Sequence, residues 1–130
     1  MQRLLTELDY VGVLALELFV TGDQLLANEF APRVHNSGHW SIEGADPSQF
    51  TAHLQAICDQ PLSAPQLNGY SGMLNLIGTI PDSARSQTLG TLHDYGKAPR
   101  PGRKLGHITI VAETADKRDK LLLNMEKSVS

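Results

Sequence analysis

Two carboxylates, Glu17 and Glu29, sit twelve residues apart on either side of Thr21-Gly22-Asp23, a tight-turn signal. If the flanking apolar runs pair as a hairpin, the acids come close in space. A turn centred on Gly22-Asp23 sets Glu17 opposite Asn28, and one centred on Asp23 sets it opposite Glu29. Glu17 interrupts an apolar run between Leu16 and Leu18. A carboxylate there is costly to bury unless it is paired, hydrogen-bonded or bound to a cation. Two carboxylates and the Asn28 amide oxygen are hard ligands suited to magnesium, which completes its shell with water and substrate phosphates. The alternative is a solvated strand face, where charges are ordinary.

A second cluster follows directly. Residues 33–40, Arg-Val-His-Asn-Ser-Gly-His-Trp, place a guanidinium, two imidazoles, an amide and a hydroxyl in eight positions. Arg33 is a fork-shaped donor for an oxyanion or carboxylate, with His35 and Asn36 beside it. The alternative is an ordinary hydrogen-bonded loop. His35 and His39 are four apart, but Gly38 and the lack of helical period argue against a helical metal pair. A third cluster, Lys97 to Lys104, carries Lys97, Arg100, Arg103 and Lys104 among glycine and proline, with no acid. Such a loop can cradle a phosphate or stand as a solvated basic loop. It is not a P-loop, because Gly90 and Gly96 are one residue too far apart and Ala98 replaces the Ser or Thr. Trp40 and Phe50 read as core, Cys58 as a small buried hydrophobe and His53 as a helix-surface residue.

The elements that must position these residues follow from period and punctuation. Residues 2–8 read as the end of a helix, with Leu4, Leu5 and Leu8 on one side. Residues 10–20 and 24–30 read as the two strands of the hairpin, and residues 31–47 as a long irregular loop. A helix then starts with Asp46 as cap, Pro47 in its first turn and Gln49 completing a capping box. It carries Phe50, Leu54 and Ile57 as a stripe and ends at Pro61. Residues 61–71 are Pro/Gly/Ser-rich and read as a linker. Beyond them come short strands at 73–77, 92–95 and 107–112, a basic loop at 96–106, and a final helix capped by Thr114. This is an α+β chain: residues 1–60 form one domain's end, and residues 72–130 a small β-rich domain closing in a helix.

Composition narrows the function. With 130 residues, 41% hydrophobic and 19% charged, the chain can build one compact domain or two small ones. The apolar run at 11–16 is broken by Gly12 and stopped by Glu17, which excludes a membrane-spanning helix there. Acidic residues stand where a secretory signal needs an apolar core, and the single cysteine excludes an internal disulfide framework. A cytoplasmic protein is the simplest expectation. The net charge of −3 divides into −6 over residues 1–60 and +3 over residues 61–130. The basic excess is local, so a broad nucleic-acid surface is not expected.

The string YVGVLALELFVTGDQLLANEFAPRVHNSGHW, residues 10–40, resembles the end of the ATP-grasp domain of 5-(carboxyamino)imidazole ribonucleotide synthases. These are the ATPase subunits of phosphoribosylaminoimidazole carboxylase, acting in purine synthesis. MLNLIG at 73–78 and RPGRKLGHITI at 100–110 resemble the family's C-terminal domain, in the same order. The resemblance implies a ligase that uses ATP and bicarbonate to carboxylate 5-aminoimidazole ribonucleotide through carboxyphosphate. It implies that Glu17 and Glu29 hold magnesium between ATP phosphates, and that Asn28 and Glu29 lie at the ATP. It implies that Arg33, His35 and Asn36 face bicarbonate and carboxyphosphate, and that Lys97, Arg103 and Lys104 grip the ribonucleotide phosphate. Many ATP-grasp enzymes place an Asn two residues after the second Glu, and here Ala31 stands there. The family's enzymes are far longer and homodimeric, so the resemblance implies a C-terminal fragment, inactive alone. Two other classes stay open: a non-catalytic phosphate- or nucleotide-binding module, and an interaction domain pairing through an exposed hairpin edge.

Overall fold

The computed structural model describes residues 1–129, which cluster into two compact units. Among the described residues, the first comprises 1–39 and 47–65, and the second 40–46 and 66–129.

In the first unit, helix α1 (Gln2–Glu7) leads to an antiparallel hairpin of β1 (Ala15–Thr21) and β2 (Gln24–Ala31). The turn is Gly22-Asp23, with Thr21 opposite Gln24 and Gly22 at φ +58°. That is the position where two-residue hairpin turns place glycine. The first strand begins later than its apolar sequence suggests. Gly12 adopts φ +130°, the Tyr10 hydroxyl donates to the Val13 carbonyl, and the Val13 amide donates to His53 Nδ1 at 3.0 Å. These bonds hold residues 10–14 out of the ladder. They also make His53 a half-buried tie between segments rather than a surface residue.

The stretch expected as an irregular loop is partly ordered. It contains a 3-10 turn (Asn36–Gly38), a one-turn helix α2 (Ser41–Gly44) and β3 (Ala45–Asp46). Helix α3 spans Gln49–Ile57, and its cap is Ser48 rather than Asp46. Ser48 Oγ accepts from the Thr51 amide at 3.2 Å. Asp46 is occupied in β3, so the capping role passes two residues on. The helix stops before Pro61, where Asp59 takes φ +51°. Its stripe is more open than expected, with Leu54 59% and Ile57 53% exposed, and Cys58 is exposed, not buried.

In the second unit, β3 pairs with β4 (Gln66–Leu67), and β5 (Tyr70–Ile77), β7 (Lys104–Ala112) and β6 (Thr91–Asp94) form an antiparallel sheet with β7 in the middle. The segment 61–71 expected as a linker therefore holds β4 and the start of β5, because its apolar Leu67 and Tyr70 find strand partners. Helix α4 (Asp82–Ser86) and the long helix α5 (Ala115–Val129) complete the unit. Thr114 Oγ1 caps α5 by accepting from the Lys117 amide, as its position predicts. The core is Leu76, Ala84, Ile108, Ile110 and Met125, flanked by Leu121 and Leu122. Central β7 reads KLGHITIVA, β-branched and nearly continuously buried. Gly106 is required by close approach, since a Cβ there would lie 2.4 Å from the His93 carbonyl oxygen. Trp40 and Phe50, expected as core, are half-buried within their respective units.

Asp94 closes β6 onto α4. It bonds Arg85 at 3.0 Å and accepts from the Gly96 amide at 2.9 Å. The Gly96 amide first, then Arg85, holds its carboxyl below the ordinary 3.8. A depressed folded value means the contribution is complete above the unfolded value of 3.8 and is lost as pH falls through the lower folded one. Replacing Arg85 with Ala is expected to raise the Asp94 midpoint part of the way toward 3.8, read by carboxyl NMR titration. An unmoved midpoint would remove Arg85 as a cause.

Candidate functional site

The hairpin settles which residue faces Glu17. The turn is centred on Gly22-Asp23, yet Glu17 pairs with Glu29 rather than Asn28, because the ladder shifts register between Glu17 and Leu18. Leu18 pairs with Ala27, leaving Asn28 as the extra residue of a bulge. The bulge keeps all three polar groups together. The Asn28 amide donates to Glu17 Oε2 at 3.4 Å, and Glu29 stands across the strand pair.

His35 joins them from the following loop. Glu17, Glu29 and His35 each offer a ligand atom within 4.8 Å of the others. His35 Nδ1 is 3.5 Å from Glu17 Oε1 and 2.8 Å from Ser37 Oγ. Arg33 reaches Glu29 Oε1 at 3.8 Å and also donates to the Val34 carbonyl at 3.0 Å. Like carboxylates this close repel each other, and a cation or the neighbouring donors must offset that repulsion. Oxygen ligands around a magnesium ion stand roughly 3–4 Å apart, so two carboxylates within 4.8 Å need only a small side-chain adjustment to share one. The donor set fits a hard divalent cation through Glu17 and Glu29, with the imidazole better suited to hydrogen bonding.

Gln49, read from the sequence as part of a capping box, performs a different task. Its Oε1 accepts from the His35 amide at 3.0 Å. Its Nε2 donates to the His35 carbonyl at 2.8 Å and lies 2.7 Å from His39 Nδ1. The first residue of α3 thus clamps the loop that carries Arg33, His35 and Asn36. Asn36 is half-buried at the start of the 3-10 turn. No spacing rule exposes this, because Gln49 is fourteen residues from His35.

The basic loop lies in the second unit. Lys97 and Arg100 are exposed, and Arg103 is half-buried, donating to the Ala98 carbonyl at 3.3 Å. The Arg103 amide donates to the Arg100 carbonyl, and its own carbonyl accepts from the Gly78 amide, so the loop is braced against the end of β5. Lys104, expected in the loop, is the first residue of β7, opposite Ile77. A group missed by sequence reasoning lies in the same unit: Glu43, His93, His107 and Tyr95. Glu43 on α2 and His93 on β6 are fifty residues apart, and only tertiary packing brings them together.

The geometry is matched by kinship. The ATP-grasp domain family matches residues 1–50, and the phosphoribosylaminoimidazole carboxylase C-terminal domain family matches residues 71–120. The chain is 54% identical over 110 residues to N5-carboxyaminoimidazole ribonucleotide synthase of Pseudomonas aeruginosa, covering 83% of this chain and 31% of that one. It is 51% identical over 111 residues to the synthase of the same name from Escherichia coli, covering 85% of this chain and 31% of that protein. Over the residues matched, this chain is similar to the N5-carboxyaminoimidazole ribonucleotide synthases. It spans about a third of the length of these relatives. The fold agrees. The crystal structure of the Thermus thermophilus synthetase superposes with a TM-score of 0.87 at 50% identity, covering 98% of this chain and 36% of that one. The Aspergillus clavatus synthase, solved with ADP and 5-aminoimidazole ribonucleotide, gives 0.80 at 40% identity, covering 91% of this chain and 35% of that one. The chain is thus α+β, with ATP-grasp and synthase-family C-terminal portions in that order. No helix among the described residues is long and apolar enough to cross a membrane.

Proposed function

We propose that this chain forms part of an ATP- and bicarbonate-dependent ligase that carboxylates the amine of 5-aminoimidazole ribonucleotide, a cytoplasmic step of purine synthesis. The observation that carries the reading is the convergence of Glu17 and Glu29 across the bulged hairpin, with His35 and Arg33 beside them. Glu17 and Glu29 would hold the magnesium that accompanies ATP, and Asn28 braces Glu17 from the bulge. That ion would neutralise charge building on the transferred phosphoryl group.

Arg33 presents a planar fork suited to bicarbonate and then to the carboxyl group of carboxyphosphate. His35 and Asn36 add donors on the same loop, and the Gln49 clamp fixes them before substrate arrives. Fixed donors aimed at developing charge cost no reorganisation during reaction. Lys97, Arg103 and Lys104 supply the cations for the ribonucleotide phosphate. A homodimer of the whole synthase completes the proposal, as its family resemblance implies.

The test is a chimera in which these residues replace the matching third of the Escherichia coli synthase. Turnover requiring ATP, bicarbonate and 5-aminoimidazole ribonucleotide is the expected result. A folded chimera that binds ribonucleotide but never turns over would overturn the catalytic reading and favour a phosphate-binding module. The 130 residues alone serve as the inactive control.

A further inference from the structure

The second unit contains a polar line that the proposed reaction does not use. Glu43 Oε1 lies 2.6 Å from His93 Nε2. The His93 ring stacks on His107, with centroids 4.6 Å apart and planes at 17°. His107 is 1% exposed, and its Nδ1 is 2.7 Å from the Tyr95 hydroxyl. The Lys97 ammonium sits over the Tyr95 ring, 4.9 Å from its centroid. Strand pairing explains the alignment. His93 faces His107 across β6 and β7, and the ladder continues through the Tyr95 amide to the Leu105 carbonyl. Residues 93 and 95 therefore share one face.

We infer that Tyr95 is a positioning residue for the anion-binding loop: its ring holds the Lys97 ammonium in place, and its hydroxyl, bonded to buried His107, sets the direction of the ring. The inference rests on the reading of that loop as a phosphate grip. Lysine carries its charge on a flexible four-carbon stem, and immobilising it on binding costs entropy. A ring face restrains the ammonium without neutralising it, so the charge stays available to an anion. A carboxylate in the same place would compete with that anion. Asp94, the acid nearest in sequence, is instead engaged by Arg85 and the Gly96 amide.

The experiment is NMR on the 130-residue chain titrated with inorganic phosphate. In the wild type the Lys97 ε-methylene signals are expected to be shifted upfield by the ring. Tyr95→Leu should abolish that shift and weaken phosphate binding about three- to tenfold. Tyr95→Phe, which keeps the ring and the fold but loses the His107 bond, should fall between. In a Lys97→Gln background, Tyr95→Leu should make no further difference to phosphate affinity. Unshifted Lys97 signals in the wild type overturn the inference. So does an equal loss of phosphate binding from Tyr95→Leu with and without Lys97. A wild type with shifted Lys97 signals that binds no phosphate overturns the phosphate-grip reading, and the inference falls with it. That outcome is distinct from the other two.

Discussion

Changing Glu29 to Gln in the chimeric synthase is expected to cut kcat about 100-fold or more while leaving the melting temperature nearly unmoved. The substitution keeps volume and removes the negative charge from the Glu17–Glu29 pair. Stability should not follow activity, because the Glu29 side chain is 51% exposed and its 3.8 Å contact is with an Arg33 that is 59% exposed. Exposed ion pairs of this kind are worth only about 0–1 kcal/mol. Removing one of two repelling carboxylates offsets part of even that loss. Steady-state kinetics across a magnesium series, with thermal melts alongside, make the measurement. Wild-type turnover in this variant would sink the metal assignment, and a collapse of the melt would make Glu29 a structural residue.

Ile108→Ala is expected to have the opposite signature. Ile108 is 0% exposed at the middle of central β7 and packs in the cluster with Leu76, Ile110 and Met125. Truncating a fully buried aliphatic side chain costs about 2–5 kcal/mol, as lost transfer energy plus an unfilled cavity. Small domains hold only about 5–15 kcal/mol in total, so the second unit would lose much of its margin. The chain's single tryptophan, Trp40, belongs to that unit and reports its urea unfolding by fluorescence. A midpoint change equivalent to less than about 1 kcal/mol would mean that β7 packing does not carry the unit. His107 is the preceding residue, so loosening β7 should also free Tyr95 and Lys97.

Local chemistry was legible in the sequence wherever neighbours along the chain decide it. The turn within Thr21-Gly22-Asp23, the Thr114 cap and the β-branched 107–112 strand depend on residues within a few positions of each other. So did the chemical character of the clusters: two acids about a hairpin, a donor-rich loop, and a basic loop free of acids. Tertiary structure decided what depends on register and long-range pairing. A turn at Gly22-Asp23 predicts Glu17 opposite Asn28, and one extra residue in β2 moves the partner to Glu29. Periodicity cannot place such a bulge, because both strands are apolar on either side of it. Ser48 became the cap because strand pairing took Asp46, and Gln49 became the loop clamp because α3 lies against His35. The line from Glu43 through His93 and His107 to Tyr95 joins residues fifty positions apart: the alignment of β6 on β7 brings the rings together, and α2 delivers Glu43 to His93. Sequence by itself determined which functional groups are available. The tertiary structure decided which of them meet, because hydrogen bonds and ion pairs act over a few ångströms and chain separation does not measure that distance.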